Sequence, residues 1–169
     1  MSKVYLICGK ICSGKSTYAQ ALRRESGAVI LSVDELMLAL FGRYAGEKHD
    51  DYVARIKAWY RQKSLELLAS GLDVILDWGF WTRKEREDIR DFYASRKIAC
   101  EFHYIDIDDP EWRRRVQKRN RDVLARRSDA YFVDEGLAAK FTSRFEMPGK
   151  DEIDRWVRQD ASTPRGESK

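Results

Sequence analysis

Short apolar runs alternate with stretches of helical periodicity along most of the chain. The apolar runs are rich in Val, Ile and Leu, which predicts β-strands over residues 4–8, 28–31, 74–77, 98–107 and 153–157. Between them, apolar residues recur every three or four positions, which predicts helices over residues 16–25, 33–40, 51–70, 82–96, 109–119 and 133–145. Strands that alternate with helices are typical of an α/β fold whose parallel sheet is covered on both faces.

The length and the turn residues indicate a single domain. The chain has 169 residues, which suits one compact unit with a core of ordinary size. Since the sequence contains no internal repeat and no interdomain linker, the predicted domain covers residues 1–161. Residues 162–169 are polar and include Pro164 and Gly166, which predicts a disordered tail.

Charged side chains are frequent, but the two signs nearly balance. Lys and Arg total 32 and Asp and Glu total 28, which gives a formal net charge of +4 at pH 7. The excess of positive charge is local, because residues 111–127 carry a dense arginine cluster. A small overall excess with one cluster favours a phosphate-handling site over a general nucleic-acid surface.

The sequence lacks the patterns of membrane and secreted proteins. No apolar run approaches the roughly 20 residues that a membrane-spanning helix needs, and no signal-peptide pattern precedes the first strand. The sequence contains three cysteines, Cys8, Cys12 and Cys100, and this odd number argues against a disulfide framework. These features predict a cytoplasmic protein without a membrane partner.

A glycine-rich motif directly follows the first predicted strand. Residues 9–16 have the pattern G-x-x-x-x-G-K-S of a Walker A loop, and a strand before it and a helix after it are the context that this motif requires. Its glycines let the backbone wrap closely around an anion, its lysine contacts the β- and γ-phosphates, and its serine hydroxyl contacts Mg²⁺. The motif predicts binding of ATP or GTP with Mg²⁺ by Gly9, Lys10, Ile11, Cys12, Ser13, Gly14, Lys15, Ser16 and Thr17.

Two aspartates lie at or just after the carboxyl ends of predicted strands. This is the sheet edge where open α/β proteins bind ligands. Asp77 ends the third strand, where a carboxylate can hold Mg²⁺ together with Ser16. Asp34 follows the second strand, where it can take a proton from a substrate hydroxyl as general base. Each has a structural alternative, because Asp77 could cap a turn and Asp34 could be a helix N-terminal acid favoured by the helix dipole.

An arginine-rich segment follows the fourth predicted strand. Phosphoryl transfer spreads negative charge over the phosphate oxygens, and an arginine that contacts them contributes roughly 10³ to 10⁵ in rate. Residues 113–115 are three consecutive arginines that cannot all point one way on a helix, so we interpret them as a solvated face. The stronger catalytic candidates belong to a predicted lid at about residues 119–130, and they are Arg119, Arg126 and Arg127.

The turn after the third strand is aromatic. Trp78, Phe80 and Trp81 would suit a ring-bearing or partly apolar small molecule, and they would equally suit the hydrophobic core. Both interpretations remain open from the sequence.

In their order, these motifs resemble the P-loop kinases grouped around the phage polynucleotide kinase domain, the zeta-type toxins and chloramphenicol phosphotransferase, which have an AAA-type ATP-binding domain. Matches at residues 9–17, 32–35, 74–77 and 119–120 carry the resemblance. It implies a five-stranded parallel sheet in the order 2-3-1-4-5, a general base at Asp34, and lid arginines that contact the transferred phosphate. The aromatic turn after Asp77 and a longer lid depart from the polynucleotide kinases, which argues against a nucleic-acid acceptor.

The leading hypothesis is an ATP-dependent kinase that phosphorylates a hydroxyl of a small-molecule acceptor. One alternative is a polynucleotide 5'-hydroxyl kinase or a zeta-toxin-like sugar-nucleotide kinase. Another is a nucleotide-binding switch or ATPase without an acceptor. The sequence identifies neither the acceptor nor the oligomeric state.

Overall fold

A computed structural model describes residues 2–42, 46–128 and 130–159. The predicted disordered tail at residues 162–169 and the predicted domain end at 161 lie outside these residues. Residues 42–50 are polar and punctuated by glycine, which predicts a loop, and part of this stretch also lies outside the described residues.

Five parallel strands form one sheet in the order β2-β3-β1-β4-β5. The strands are β1 (Lys3–Cys8), β2 (Val29–Ser32), β3 (Val74–Gly79), β4 (Ala99–Ile107) and β5 (Arg155–Gln159). The order confirms the sheet topology that the resemblance implied, and the α/β fold is that of P-loop nucleotide-binding proteins. Because β1 is central, the loop that follows it lies at the middle of the sheet's carboxyl edge.

The described residues form six α-helices around the sheet. They are α1 (Lys15–Ser26), α2 (Val33–Phe41), α3 (His49–Ala69), α4 (Arg83–Ala94), α5 (Asp109–Leu124) and α6 (Glu135–Arg144). Alternate residues of the strands point to opposite faces, so Ile7 packs with Ala19 and Leu22 of α1, whereas Leu6 packs with residues of α2, α3 and α4. Among the described residues, no helix is both long and apolar enough to cross a membrane.

Side-chain caps fix where several helices begin. Ser32 Oγ accepts a hydrogen bond from Glu35 N at 3.3 Å, and Thr82 and Glu85 form a reciprocal capping box. At α5 the sequence predicts Asp109 as the N-cap, because Pro110 follows it, but the cap is Asp108, whose carboxylate accepts from Glu111 N at 2.8 Å.

Helix α5 is longer than the sequence pattern predicted. We expected it to end near Asn120, but it continues to Leu124, so the predicted lid at residues 119–130 begins inside a helix. Lys118 and Asp122 form an ion pair one turn apart, which supports the helix there. The Asn120 side chain bonds the backbone N–H and C=O of Val133 at 2.8 and 2.7 Å, and this pins the returning chain to α5.

A buried ion pair holds the C-terminal part of the chain against α4. Arg86 is 2 % exposed, and its guanidinium donates to Glu152 at 2.7 and 3.3 Å. The same group donates to the carbonyls of Phe80, Trp81 and Glu146 at 3.1–3.3 Å. These bonds fix the turn that follows β3.

Candidate active site

The loop between β1 and α1 has the geometry of a phosphate-binding loop. A Cβ atom on Gly9 would lie 2.9 Å from Ser13 Oγ and 3.0 Å from the Ile105 carbonyl oxygen, so no larger residue fits. Gly14 has φ of 100°, which side chains rarely adopt, and a Cβ there would lie 2.9 Å from Arg115 Nη1. The fold therefore requires both glycines of the motif.

The N-terminus of α1 is open to an anion. Its N-cap is Gly14, no side chain caps it, and its first turn contains no acidic residue. By contrast, α2, α4, α5 and α6 all receive side-chain caps. Lys15 Nζ donates to the Lys10 carbonyl oxygen at 2.7 Å, which keeps its charge at the loop. Free amides at a helix N-terminus with an added ammonium group form an anion site.

Asp77 lies beside the loop and contacts its serine. Ser16 Oγ donates to Asp77 Oδ2 at 2.8 Å, and Asp77 is 7 % exposed. Burial raises the pKa of Asp77, while Lys15 and the Ser16 hydrogen bond act in the opposite direction and Asp34 adds to the rise. A buried carboxylate whose ionised form is disfavoured by its surroundings is typical of a functional site.

Ser16 and Asp77 fit a magnesium ion. A hydroxyl and a carboxylate oxygen are hard donors, and Mg²⁺ commonly binds one or two carboxylates and completes its shell with phosphate oxygens and water. In the part of the chain that the structure describes, no group of three or more His, Cys, Asp or Glu side chains could hold a metal by itself. A metal here would therefore depend on the nucleotide for some of its ligands.

Replacing Asp77 with asparagine is expected to stabilise the ligand-free protein and to remove the Mg²⁺-dependent part of its stabilisation by ATP. Burial raises the pKa of Asp77 in the folded protein, so the ionised carboxylate lowers the free energy of unfolding at pH values above that pKa. This loss of stability disappears as the pH falls through the folded-state pKa and the carboxylate becomes protonated. At pH 7 an amide avoids the cost, and we expect unfolding free energy to rise by about 0.5–2 kcal/mol. Thermal unfolding with and without Mg²⁺ and ATP measures both effects. A lower melting temperature of the ligand-free variant would contradict the burial argument.

A cleft of about 640 Å³ runs from Ser16 and Thr17 along the carboxyl edge of the sheet. Ser32 pairs with Asp77 in the register of β2 and β3, so Asp34, two residues after Ser32, reaches the same edge. Asp34 lies in the first turn of α2, its side chain is exposed, and it lines the cleft with Asp77. The structure thus brings together the predicted base and the predicted metal ligands.

One of the three predicted lid arginines lines the cleft. Arg119 donates to Cys12 Sγ of the loop at 3.4 Å and to the Tyr131 carbonyl oxygen at 2.9 Å. Arg126 and Arg127 follow the end of α5, both are exposed, and neither lines the cleft. Arg127 Nε lies 4.0 Å from Asp122. A role for these three arginines in phosphoryl transfer stays a prediction. Of the three, Arg119 is the one that lines the cleft.

Arg115 is a functional candidate that the sequence interpretation missed. We expected residues 113–115 to form a solvated face, but Arg115 lines the cleft and donates to the Ser13 carbonyl oxygen at 2.9 Å. Glu111 receives hydrogen bonds from Arg114 and Arg115, which hold its pKa at about 2. The available signal was the spacing of Glu111, Arg115 and Arg119, which places all three on one helix face.

Replacing Arg115 with alanine is expected to weaken ATP binding by about 10- to 100-fold, because a charge-assisted hydrogen bond to the loop contributes about 1.5–3 kcal/mol. The matched control is Arg113→Ala, since Arg113 is exposed on the same helix and does not line the cleft. Titration of Mg-ATP by calorimetry measures both dissociation constants. Equal affinities for the two variants would show that Arg115 does not support the loop.

The aromatic turn after Asp77 is part of the core. Trp78 and Phe80 are 8 % and 2 % exposed, and the Trp78 indole donates to the Leu31 carbonyl oxygen at 3.1 Å. Trp81 packs edge-to-face on Phe141, and none of the three residues lines the cleft. The core placement is correct for Trp78 and Phe80, whereas Trp81 is half-buried and lies outside the core clusters; none of the three forms a wall of this cleft.

Solved structures with the same fold include several kinases. A sugar kinase from Janibacter sp. has a TM-score of 0.64 at 16% identity, covering 98% of this chain and 88% of its own. The Mycobacterium tuberculosis APS kinase CysC in complex with AMPPNP and APS has a TM-score of 0.64 at 20% identity, covering 95% of this chain and 90% of that chain. A chain of the Pnkp1/Rnl/Hen1 RNA repair complex has a TM-score of 0.67 at 23% identity, with 85% of this chain and 43% of that chain covered. At these identities the likeness concerns the fold.

Sequence comparison places the chain in a family. A search of curated proteins returned no significant match. The family model described as "AAA domain" matches residues 4–148, a span that includes the phosphate-binding loop, Asp34, Asp77 and helix α5. This match confirms the resemblance to the P-loop kinase group, and the protein belongs to this family of AAA domains.

Proposed function

We propose that the protein is an ATP-dependent kinase that transfers the γ-phosphoryl group to a hydroxyl of a small-molecule acceptor. The observation that carries the proposal is the common cleft shared by the Ser16–Asp77 pair and Asp34. A nucleotide-binding switch needs the loop and the metal ligands, but it does not need an exposed carboxylate beside them at a cleft of about 640 Å³.

The loop and α1 would hold the phosphates of ATP. Amides from Gly9 to Thr17 and the Lys15 ammonium would contact the β- and γ-phosphates, and Arg119 would neutralise charge on the transferred group. Ser16 and Asp77 would hold Mg²⁺, which when bound neutralises phosphate charge. The hydrogen bonds of Lys15 to Lys10, of Ser16 to Asp77 and of Arg119 to Cys12 support this assignment.

Asp34 would act as general base. Its carboxylate takes the proton of the acceptor hydroxyl, the hydroxyl oxygen bonds to the γ-phosphorus, and the bond to the β,γ-bridging oxygen breaks to release ADP. The exposed position of Asp34 in the first turn of α2 leaves its carboxylate accessible to an acceptor in the cleft.

Acceptor-dependent formation of ADP tests the proposal. The purified protein is incubated with Mg-ATP alone, with a small-molecule extract of cells, and with a 5'-hydroxyl oligonucleotide. A small-molecule kinase forms ADP faster only with the extract. Stimulation only by the oligonucleotide would favour a polynucleotide kinase, and an equal rate in all three mixtures would favour an ATPase or a switch.

A further inference from the structure

The charged side chains that line the cleft differ between its two helices. Helix α5 contributes three cations and one carboxylate, Asp122, whereas α2 contributes two carboxylates and no cation. Building on the proposed kinase function, we propose that the acceptor is an uncharged or cationic hydroxyl compound and that Glu35 is the residue that selects against anionic acceptors.

The cations of α5 are already engaged by other groups. Arg115 donates to the Ser13 carbonyl oxygen and to Glu111, and Arg119 donates to Cys12 and to the Tyr131 carbonyl oxygen. Lys118 forms an ion pair with Asp122. Two of the three cations therefore contact the loop that would hold ATP, and the third is neutralised on its own helix.

The carboxylates of α2 have a different setting. Asp34 and Glu35 are adjacent in the first turn, both side chains are exposed, and both line the cleft. Among the described residues, no Lys, Arg or His nitrogen lies within 4.0 Å of either carboxylate.

The lining of the cleft also includes a hydroxyl group that lacks a hydrogen-bond partner within the described part of the chain. The Tyr131 hydroxyl is buried and has no hydrogen-bond partner among the described residues, and Tyr131 lines the cleft. Burial raises the pKa of Tyr131 and the Asp34 carboxylate adds to the rise, so the phenol lies within the field of that carboxylate. Buried polar groups without a partner are uncommon in folded proteins. This group points to a pocket that a hydroxyl-bearing ligand completes.

An anionic acceptor would meet repulsion from two sources. The carboxylates of Asp34 and Glu35 lie on one side, and the phosphates of bound ATP would occupy the cations on the other. Asp34 is needed as the base, so its charge is unavoidable, whereas Glu35 adds a second negative charge without a part in the chemistry. A charge placed against one class of ligand is a common way to obtain specificity.

Charge fractionation of a cell extract tests the inference. The small-molecule extract is passed over an anion exchanger, and ADP formation with Mg-ATP is measured with the flow-through and with the retained fraction. The expected result is that the flow-through supports most of the acceptor-dependent ADP formation. In Glu35→Lys, the ratio of flow-through to retained activity should fall at least fivefold, and Glu35→Gln should give an intermediate ratio.

The ratio separates specificity from general damage, because a loss of active protein lowers both activities together. The matched control is Glu25→Lys, which makes the same charge change at an exposed position of α1 that does not line the cleft. Its ratio should equal that of the unchanged protein.

Three results would overturn the inference. The first is acceptor-dependent ADP formation with the retained fraction only, which would overturn the inference and leave the proposed kinase function in place. The second is an equal ratio of flow-through to retained activity in Glu35→Lys and Glu25→Lys. Activity in neither fraction would remove the proposed kinase function and the inference with it.

Discussion

Replacing Asp34 with asparagine is expected to lower the rate of phosphoryl transfer by about 10²- to 10⁴-fold and to leave Mg-ATP binding nearly unchanged. The amide keeps the size of the carboxylate but cannot take the proton of the acceptor hydroxyl. Asp34 is exposed in the cleft and, unlike Asp77, has no contact with the loop serine, so its loss should not disturb the phosphate site. ADP formation with a saturating cell extract and calorimetric titration of Mg-ATP measure the two quantities.

The matched control for Asp34 is Asp51→Asn. Asp51 is also an exposed aspartate in the first turn of a helix, α3, and it does not line the cleft. Both substitutions remove a favourable interaction with a helix dipole, so a difference between them isolates the role in the cleft. If Asp34→Asn keeps the full transfer rate, Asp34 is a helix N-terminal acid and not the base.

Replacing Lys15 with alanine is expected to abolish the stabilisation of the protein by Mg-ATP. A ligand at 100 times its dissociation constant stabilises a protein by about 2.7 kcal/mol, which corresponds to a rise of roughly 5–10 °C in melting temperature for a domain of this size. The Lys15 ammonium is held within the loop by the Lys10 carbonyl, and alanine leaves the open end of α1 without its positive charge. Thermal unfolding with and without Mg-ATP measures the shift.

Lys84→Ala is the control for Lys15→Ala. Lys84 is exposed on α4 and pairs with Asp88 at 3.3 Å, away from the cleft. Its loss should leave the shift with Mg-ATP intact. If Lys15→Ala shows the same shift as the unchanged protein, the loop does not bind the nucleotide through this lysine.

The order of elements could be predicted from the sequence because parallel strands are buried on both faces. Val74, Ile75 and Leu76 are fully buried, and such continuous apolar runs stand out from the charged helices. The end of β3 was predicted two residues early, because Trp78 and Gly79 continue the strand beside Cys8 of β1. That pairing depends on the neighbouring strand, which a local pattern does not contain.

The loop of the candidate site was predictable, but much of its support was not. The motif at residues 9–16 carries its own spacing, and the strand-end positions of Asp34 and Asp77 follow from the strands. Arg115 contacts Ser13 across 102 positions of sequence, so only the folded chain shows that this arginine supports the loop. Likewise, the burial of Trp78 depends on Leu31 and the helices of one face, and not on its neighbours in sequence.

The fate of the γ-phosphoryl group tests the central claim most directly. The protein and its Asp34→Asn variant are incubated with Mg²⁺, a cell extract, and ATP whose γ-phosphate carries heavy oxygen, and the products are analysed by mass spectrometry. A small-molecule kinase yields an organic product with the heavy phosphoryl group, formed much more slowly by the variant. Heavy label found only in inorganic phosphate, at equal rates with both proteins, would contradict the account.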